Sequence, residues 1–360
     1  MVNRIITFAL FFIIFLLIYF GVHFYIFARI SSLLEIERTF WFYLIGLIVV
    51  LSFPIFSVLE RTIGGSFLRG LYALSAIWLG AAFFIFCCLI IYEITNMFVK
   101  VNSKAAGVIV LVVALSITLF SLINALSLDT KIINIPMPNL KNELKIVQLS
   151  DMHIGTIHNS GYLEKIVEKV NNLNPDMVLI TGDIVDGSGI LTEESISPLN
   201  KLEPKTFFTL GNHEQYEGVE YVLNLLKNTK IQILRNEIFN YKDIQIIGVD
   251  AIEEFQNKSF DLSSFKINKL KPSVLMYHLP TNLEKANEVG INLQLSGHTH
   301  NGQIFPFSLL SRIFFPRVTG LYDYNGTYMY VSPGTGTWGP PLRFGSRNEI
   351  TVINLIKNEN

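Results

Sequence analysis

Five apolar runs in the second half of the chain each lead into a residue that can ligate a metal or move a proton. Run 144–149 leads into Ser150-Asp151-Met152-His153, and run 177–181 into Gly182-Asp183-Ile184-Val185-Asp186. Run 207–210 leads into Gly211-Asn212-His213-Glu214, run 274–277 ends at His278, and run 293–296 meets Gly297-His298-Thr299-His300. In extended backbone, residues i and i+2 point the same way. Asp151/His153 and His298/His300 are therefore expected to form two claws, each aiming both side chains at one centre. Glycine before Asp183, Asn212 and His298 is expected to let the chain bend sharply there. Carboxylate, carboxamide and imidazole without thiolate suit manganese, iron or zinc better than a soft-metal centre. Asp151, His153, Asp183, Asn212, His278, His298 and His300 exceed what one ion needs and fit two ions sharing a bridging carboxylate.

Each fragment alone is ordinary: a lone Asp-x-His is usually a turn, and Gly-Asp usually a loop corner. Their conjunction is not. Five of the seven histidines of the chain fall at these strand ends, in an order that builds one cleft.

The elements that must position them alternate. Strand-like runs are expected at 144–149, 177–181, 207–210, 244–249, 274–277, 293–296, 328–331 and 350–355, and helices at about 161–173, 219–228 and 282–288. The pattern is α/β, and open α/β sheets bind ligands at the carboxyl ends of their strands.

The rest of the chain is different. Of 360 residues only 16% are charged, and the mean hydropathy is +0.42. Residues 1–128 hold 7 Lys+Arg and 4 Asp+Glu, leaving 21 and 25 for residues 129–360 (28−7 and 29−4). Four apolar runs, 5–28, 40–59, 71–92 and 105–128, each reach the length of about 20 residues that a spanning helix needs. The first is too long for a signal-peptide core and lacks a small-residue cleavage site. His23 and Glu93 lie near the ends of their runs and are expected to reach water as bystanders. The organisation expected is a four-helix transmembrane anchor over 1–130, a linker over 131–143 around Pro136-Met137-Pro138, and a catalytic domain over 144–360.

Near the ends of the runs, Arg4, Arg61, Arg69, Lys131, Lys141 and Lys145 fall on one side, and Arg29, Arg38, Lys100 and Lys104 on the other. This bias points to cytoplasmic termini and a cytoplasmic catalytic domain. No basic excess exists to neutralise phosphates, which argues against a nucleic-acid partner. The only cysteines, Cys87 and Cys88, are adjacent and lie in the apolar block, so neither a disulfide framework nor a thiolate metal site is available.

Asp151-x-His153, Gly182-Asp183, Gly211-Asn212-His213-Glu214, His278 and Gly297-His298-x-His300 together resemble the calcineurin-like metallophosphoesterases over about residues 144–355. The stretch from Ser332-Pro333-Gly334-Thr335-Gly336 to Pro341-Leu342-Arg343-Phe344-Gly345 is similar to a bacterial, often membrane-anchored branch. The resemblance implies a four-layer αββα sandwich around two mixed sheets. It also implies two divalent cations, manganese first, with iron or zinc as alternatives. Asp151, His153, Asp183 and His300 would hold the first metal, with Asp183 bridging. Asn212, His278 and His298 would complete the second. His213 would face the substrate and assist the leaving oxygen, with Asp186 orienting it. Gly187 stands where the Ser/Thr protein phosphatases of the superfamily have arginine, which argues against a protein substrate.

The expected function is hydrolysis of a phosphodiester or pyrophosphate by an enzyme of the inner membrane. A lipid-linked substrate such as UDP-2,3-diacylglucosamine, in lipid A synthesis, is the specific expectation. Soluble nucleotides or cell-wall phosphoesters are the rival substrates, and a catalytically dead membrane receptor or scaffold is the rival class. The apolar segment 304–318 is expected to be a lid or core packing element, or else a surface meeting bilayer or acyl chain. Arg312, Arg317 and Arg343 are expected either to pair with phosphate or, equally, to be solvated surface or structural ion pairs.

Overall fold

The computed structural model describes residues 2–251 and 261–358. The chain divides into two compact units, Met1–Leu122 and Ile123–Asn360. Helices α1 (Val2–Leu33), α2 (Phe40–Thr62), α3 (Ser66–Phe98) and α4 (Ser103–Leu126) open the chain. All four are long and apolar enough to cross a membrane. Large apolar side chains such as Leu17, Phe24 and Leu115 point outward, which only a lipid surround makes favourable. Pro54 lies within α2 without ending it. His23 is buried, donating from Nδ1 to the Tyr19 carbonyl of its own helix and accepting from Trp78 Nε1 of α3. The expectation that it reaches water is corrected. Glu93 is partly exposed and pairs with Arg29 of α1.

The second unit contains two six-stranded mixed sheets among the described residues. Its strands are β1 (Leu128–Met137), β2 (Leu144–Leu149), β3 (Met177–Thr181), β4 (Lys205–Thr209), β5 (Gln232–Ile233) and β6 (Glu237–Tyr241), then β7 (Ile244–Val249), β8 (Ser273–Tyr277), β9 (Leu293–Ser296), β10 (Gly320–Tyr324), β11 (Thr327–Val331) and β12 (Asn348–Lys357). The first sheet has the order β1-β12-β2-β3-β4-β5, the second β10-β11-β9-β8-β7-β6. Ile146, Leu179 and Phe207 of the first sheet pack with Ile246, Met276 and Leu295 of the second as an inner core. Strands β3 and β8 are buried along their whole length, as near-continuous apolar strands covered on both faces must be.

Helices cover the outer faces. Helix α5 (Ser160–Leu173) forms because Leu163, Ile166, Val167 and Val170 recur at the i, i+3, i+4, i+7 spacing of one buried stripe. Asn159 caps its start by accepting from Tyr162 N, and Asn174, in the left-handed region at φ 47°, ends it. The short α6 (Glu193–Ile196), α7 (Asn212–Glu217) and α8 (Val219–Leu226) follow; α8 joins α5 on the outer face of the first sheet. Helix α9 (Leu283–Val289) packs Ala286 on the second sheet with Leu275 and Tyr277. The αββα sandwich is thus the fold.

One boundary is corrected. The expected linker 131–143 begins inside a strand: Leu128–Met137 runs parallel to Asn348–Lys357 in register from end to end. Pro136 is tolerated because β1 is an edge strand.

Candidate metal centre

The carboxyl ends of β2, β3, β4, β8 and β9 bring all seven expected ligands together. His153 Nε2 and His300 Nε2 lie 2.9 Å apart, and Asp151 Oδ1 is 3.4 Å from His300 Nε2. Asp183 Oδ2 stands between two groups, 3.9 Å from His153 Nε2 and 3.1 Å from His278 Nε2. His298 completes the second group with Asp183 and His278, and its Nδ1 lies 2.9 Å from Asn212 Oδ1. The shared position of Asp183 is what a bridging ligand requires.

The claws form, but not in extended backbone. Asp151 (φ 53°), His153 (φ 49°), Asp183 (φ 54°), His298 (φ 70°) and His300 (φ 50°) all occupy the left-handed region, which costs a non-glycine residue on the order of 1–3 kcal/mol. The chain turns at each ligand, so alternation along a strand is not what aims them. Surrounding bonds hold these conformations in place. Asp151 N donates to Gly182 O, His153 N to Asp183 O, and His298 N to both oxygens of Asp151.

The glycines also differ from expectation. Gly182 does turn, at φ 89°, but Gly211 is extended, at φ −96° and ψ −165°. A Cβ on Gly211 would collide with Asp183 Oδ1, and one on Gly297 with Asp151 Oδ2. These two residues supply room for ligand carboxylates rather than a bend.

Donor chemistry tests whether cations fit. His278 Nδ1 donates to the Thr181 carbonyl at 2.8 Å. A neutral ring therefore turns the Nε2 lone pair on the Asp183 carboxylate, two acceptors face to face in a fully buried pocket. Such an arrangement needs a positive charge between or on them. Burial opposes a charge on His278, yet Asp183 and then Asp151 outweigh it and hold the ring at about 10. Where a proton is favoured so strongly, a divalent cation is favoured too. Burial holds His153 and His300 well below the usual histidine range, and His298 at about 3, so these rings stay neutral and offer lone pairs. The residues fit two hard or borderline cations.

His213 sits at the edge of this cluster, a ring nitrogen within 4.8 Å of ligand atoms of His153 and Asp183. Its Nδ1 donates to the backbone carbonyl of Asp186 at 2.8 Å, which leaves Nε2 for other work. The Asp186 carboxylate was expected to orient His213. Its Oδ1 instead stands 3.5 Å from His153 Nδ1, because the carbonyl already occupies the His213 nitrogen.

Two further residues hold the site. Glu214 ends the motif Gly211-Asn212-His213-Glu214. Fully buried, its carboxylate accepts from Gly211 N, Asp183 N, Ile184 N and Val185 N at 2.7–3.3 Å. It thereby ties the two turns that carry Asp183 and Asn212. Burial, then the Asp183 charge, raises it to about 7. The offset of three between Gly211 and Glu214, as in a capping box, is the signal that could have found it. Arg343 is the other. It is completely buried and donates to the carbonyls of His300, Pro333 and Gly336 and to Asn348 Oδ1. Of the two expectations for the arginines, the structural one holds for Arg343 and for Arg317, which pairs with Glu284.

A cavity of about 600 Å³ opens on the cluster. Asp183, Asn212, His213, His298 and His300 line it. Phe307, Leu310 and Phe314 of helix α10 (Phe307–Phe314), in the middle of the apolar segment 304–318, line it too.

The calcineurin-like phosphoesterase family matches residues 144–302. A metallophosphoesterase of Campylobacter jejuni is 40% identical over 235 residues, 63% of this chain and 63% of its own length. The transmembrane protein with metallophosphoesterase domain of Bos taurus is 36% identical over 241 residues, 61% of this chain and 54% of its own. A metallophosphoesterase of Aquifex aeolicus is 31% identical over 224 residues, 59% of this chain and 85% of its own. With the fold and the ligand cluster in place, these likenesses make the chain a member of the calcineurin-like metallophosphoesterase family. It spans about 63% of the length of the first bacterial relatives.

Proposed function

We propose that this protein is a membrane-anchored, dinuclear metal-dependent hydrolase of phosphodiesters or pyrophosphates whose substrate carries a lipid. Asp151, His153, Asp183 and His300 would hold one divalent cation, and Asp183, Asn212, His278 and His298 the other, with manganese the first choice. The pair would supply Lewis acidity at the phosphoryl oxygens and an activated water. The chain's own residues do the rest. Buried neutral imidazoles keep the ligand lone pairs available, Glu214 holds the turns of Asp183 and Asn212, and His213 Nε2 is positioned to exchange a proton with the leaving oxygen.

The observation that supports the lipid reading is the mixed lining of the cavity. The candidate ligands share it with Phe307, Leu310 and Phe314, which suits a phosphate head joined to acyl chains. UDP-2,3-diacylglucosamine is the specific candidate, acted on from the cytoplasmic face of the inner membrane. Each buried methylene contributes about 0.8 kcal/mol, so even four exceed tenfold in affinity. Shortening the acyl chains of a diacylated sugar nucleotide should therefore raise KM steeply in an assay with Mn²⁺. Equal kcat/KM for acylated and non-acylated forms would remove the lipid and favour soluble nucleotides or cell-wall phosphoesters. No turnover of any phosphoester with metal bound would favour a receptor or scaffold.

A further inference from the structure

Helix α10 has more apolar surface than the cavity uses. Phe307, Leu310 and Phe314 face the cavity at spacings of three and four. Leu309 and Ile313, four apart on another face, line nothing there, and they are 52% and 74% exposed. Phe305, just before the helix, is 48% exposed. No residue of α10 is buried. An apolar face of this kind beside an active site calls for a partner.

The contacts of the second unit indicate which. The last turn of α4 belongs to that unit. Asn124 Nδ2 donates to the Arg343 and Ser346 carbonyls at 2.9 and 2.8 Å, and Asn348 Nδ2 donates to Ala125 O at 2.6 Å. The same 343–346 turn grips the segment that enters α10. Phe305 N donates to Phe344 O, Phe344 N to Gln303 O, and Ser346 Oγ to Gln303 O. Within the second unit, the last turn of α4 and the entry to α10 are therefore tied to one turn of chain. Arg312, exposed on the last turn of α10, adds a cation of the kind that favours an anionic headgroup layer.

We infer that the outward face of α10, Phe305, Leu309 and Ile313, docks on the lipid surface from which α4 emerges, seating the cavity mouth at the headgroups. This rests on reading α4 as a membrane span and on no particular substrate. The test uses full-length protein carrying Cys87→Ser and Cys88→Ser, reconstituted in phosphatidylethanolamine/phosphatidylglycerol vesicles. Single cysteines replacing Ile313, Leu309, Leu115 of α4 and Lys227 of the exposed end of α8 are spin-labelled, and relaxation by oxygen is compared with that by a water-soluble nickel complex. Labels at 309 and 313 should show an oxygen-to-nickel ratio at least about threefold above that at 227, approaching 115. A label at 115 in lipid with 313 in water overturns the docking while leaving the span intact. Both in water overturn the span and the docking together. A label at 313 shielded from both reagents places protein there instead and also overturns it. None of these outcomes depends on which phosphoester is hydrolysed.

Discussion

Asp183 and His213 lie within one cluster but are asked to do different things, and their variants should separate. Asp183→Asn replaces the carboxylate shared by both ligand groups. It should lower metal content and abolish hydrolysis, read by elemental analysis and a chromogenic diester. His213→Ala should keep both metals yet lose at least about 100-fold in kcat, the scale of lost acid–base assistance. A metal lost from His213→Ala but kept in Asp183→Asn would exchange the two roles. Glu214→Gln presents an amide NH₂ to backbone N–H groups that now meet only carboxylate oxygens. Metal affinity should fall about 10–100-fold, as it does when outer partners of ligands are changed, and competition with a chelator would measure it. His158 offers a pH signature away from the ligands. Its Nε2 accepts from Thr337 N at 2.9 Å and its ring stacks on Tyr162. Burial, with Arg343 adding, lowers it from 6.5 to about 3. Between those values the unfolded chain carries the extra proton, so stability that is full above pH 6.5 is lost as pH falls toward 3. His158→Gln, which can still accept from Thr337 N, should flatten the fall of Tm over that window. An unchanged slope would mean other groups set it.

At the scale of elements, the strands that carry the ligands were legible, as were β7, β11 and much of β12, whereas β1, β5, β6 and β10 were not. The runs ending at Asp151, Asp183, Asn212, His278 and His298 stand out because central strands covered on both faces are apolar throughout. Strand β1 escaped because Pro136-Met137-Pro138 reads as a break and because its partner lies 220 residues away, as at Lys131 and Thr351. Strand β5 is two residues long, too short to show a period. The segment 304–318 was seen to be apolar, but an eight-residue helix after Pro306 leaves little periodicity to read. That these carboxylates and imidazoles gather in one cluster was readable from residue types alone. The left-handed turns that aim it were not, since aspartate and histidine carry no signal of φ as glycine does. Helix α10 gives this scale its prediction. Phe314→Ser should raise KM for an acylated substrate about tenfold, the equivalent of 1.4 kcal/mol, and leave a small chromogenic diester unaffected. Phe315 serves less well, because its ring packs edge-on against His298 at 5.2 Å and its loss would reach the metal.

For the whole molecule, we propose that the four helices able to cross a membrane leave both termini and the catalytic domain in the cytoplasm, on the strength of six Lys/Arg against four. A green fluorescent protein fused after Lys357 should fluoresce, and alkaline phosphatase fused there should be inactive. The opposite pair of results would overturn the topology and, with it, a nucleotide substrate supplied from the cytosol.

One residue, Ser127, separates the end of α4 from the start of β1, and Asn124 and Ala125 are bonded to the turn that carries Arg343. Arg343 accepts from Asn124 at its backbone carbonyl and donates through its guanidinium to the His300 carbonyl. The foot of α4 is thus two hydrogen bonds from a candidate ligand, and the last turn of the apolar helix doubles as scaffold for the cluster it precedes.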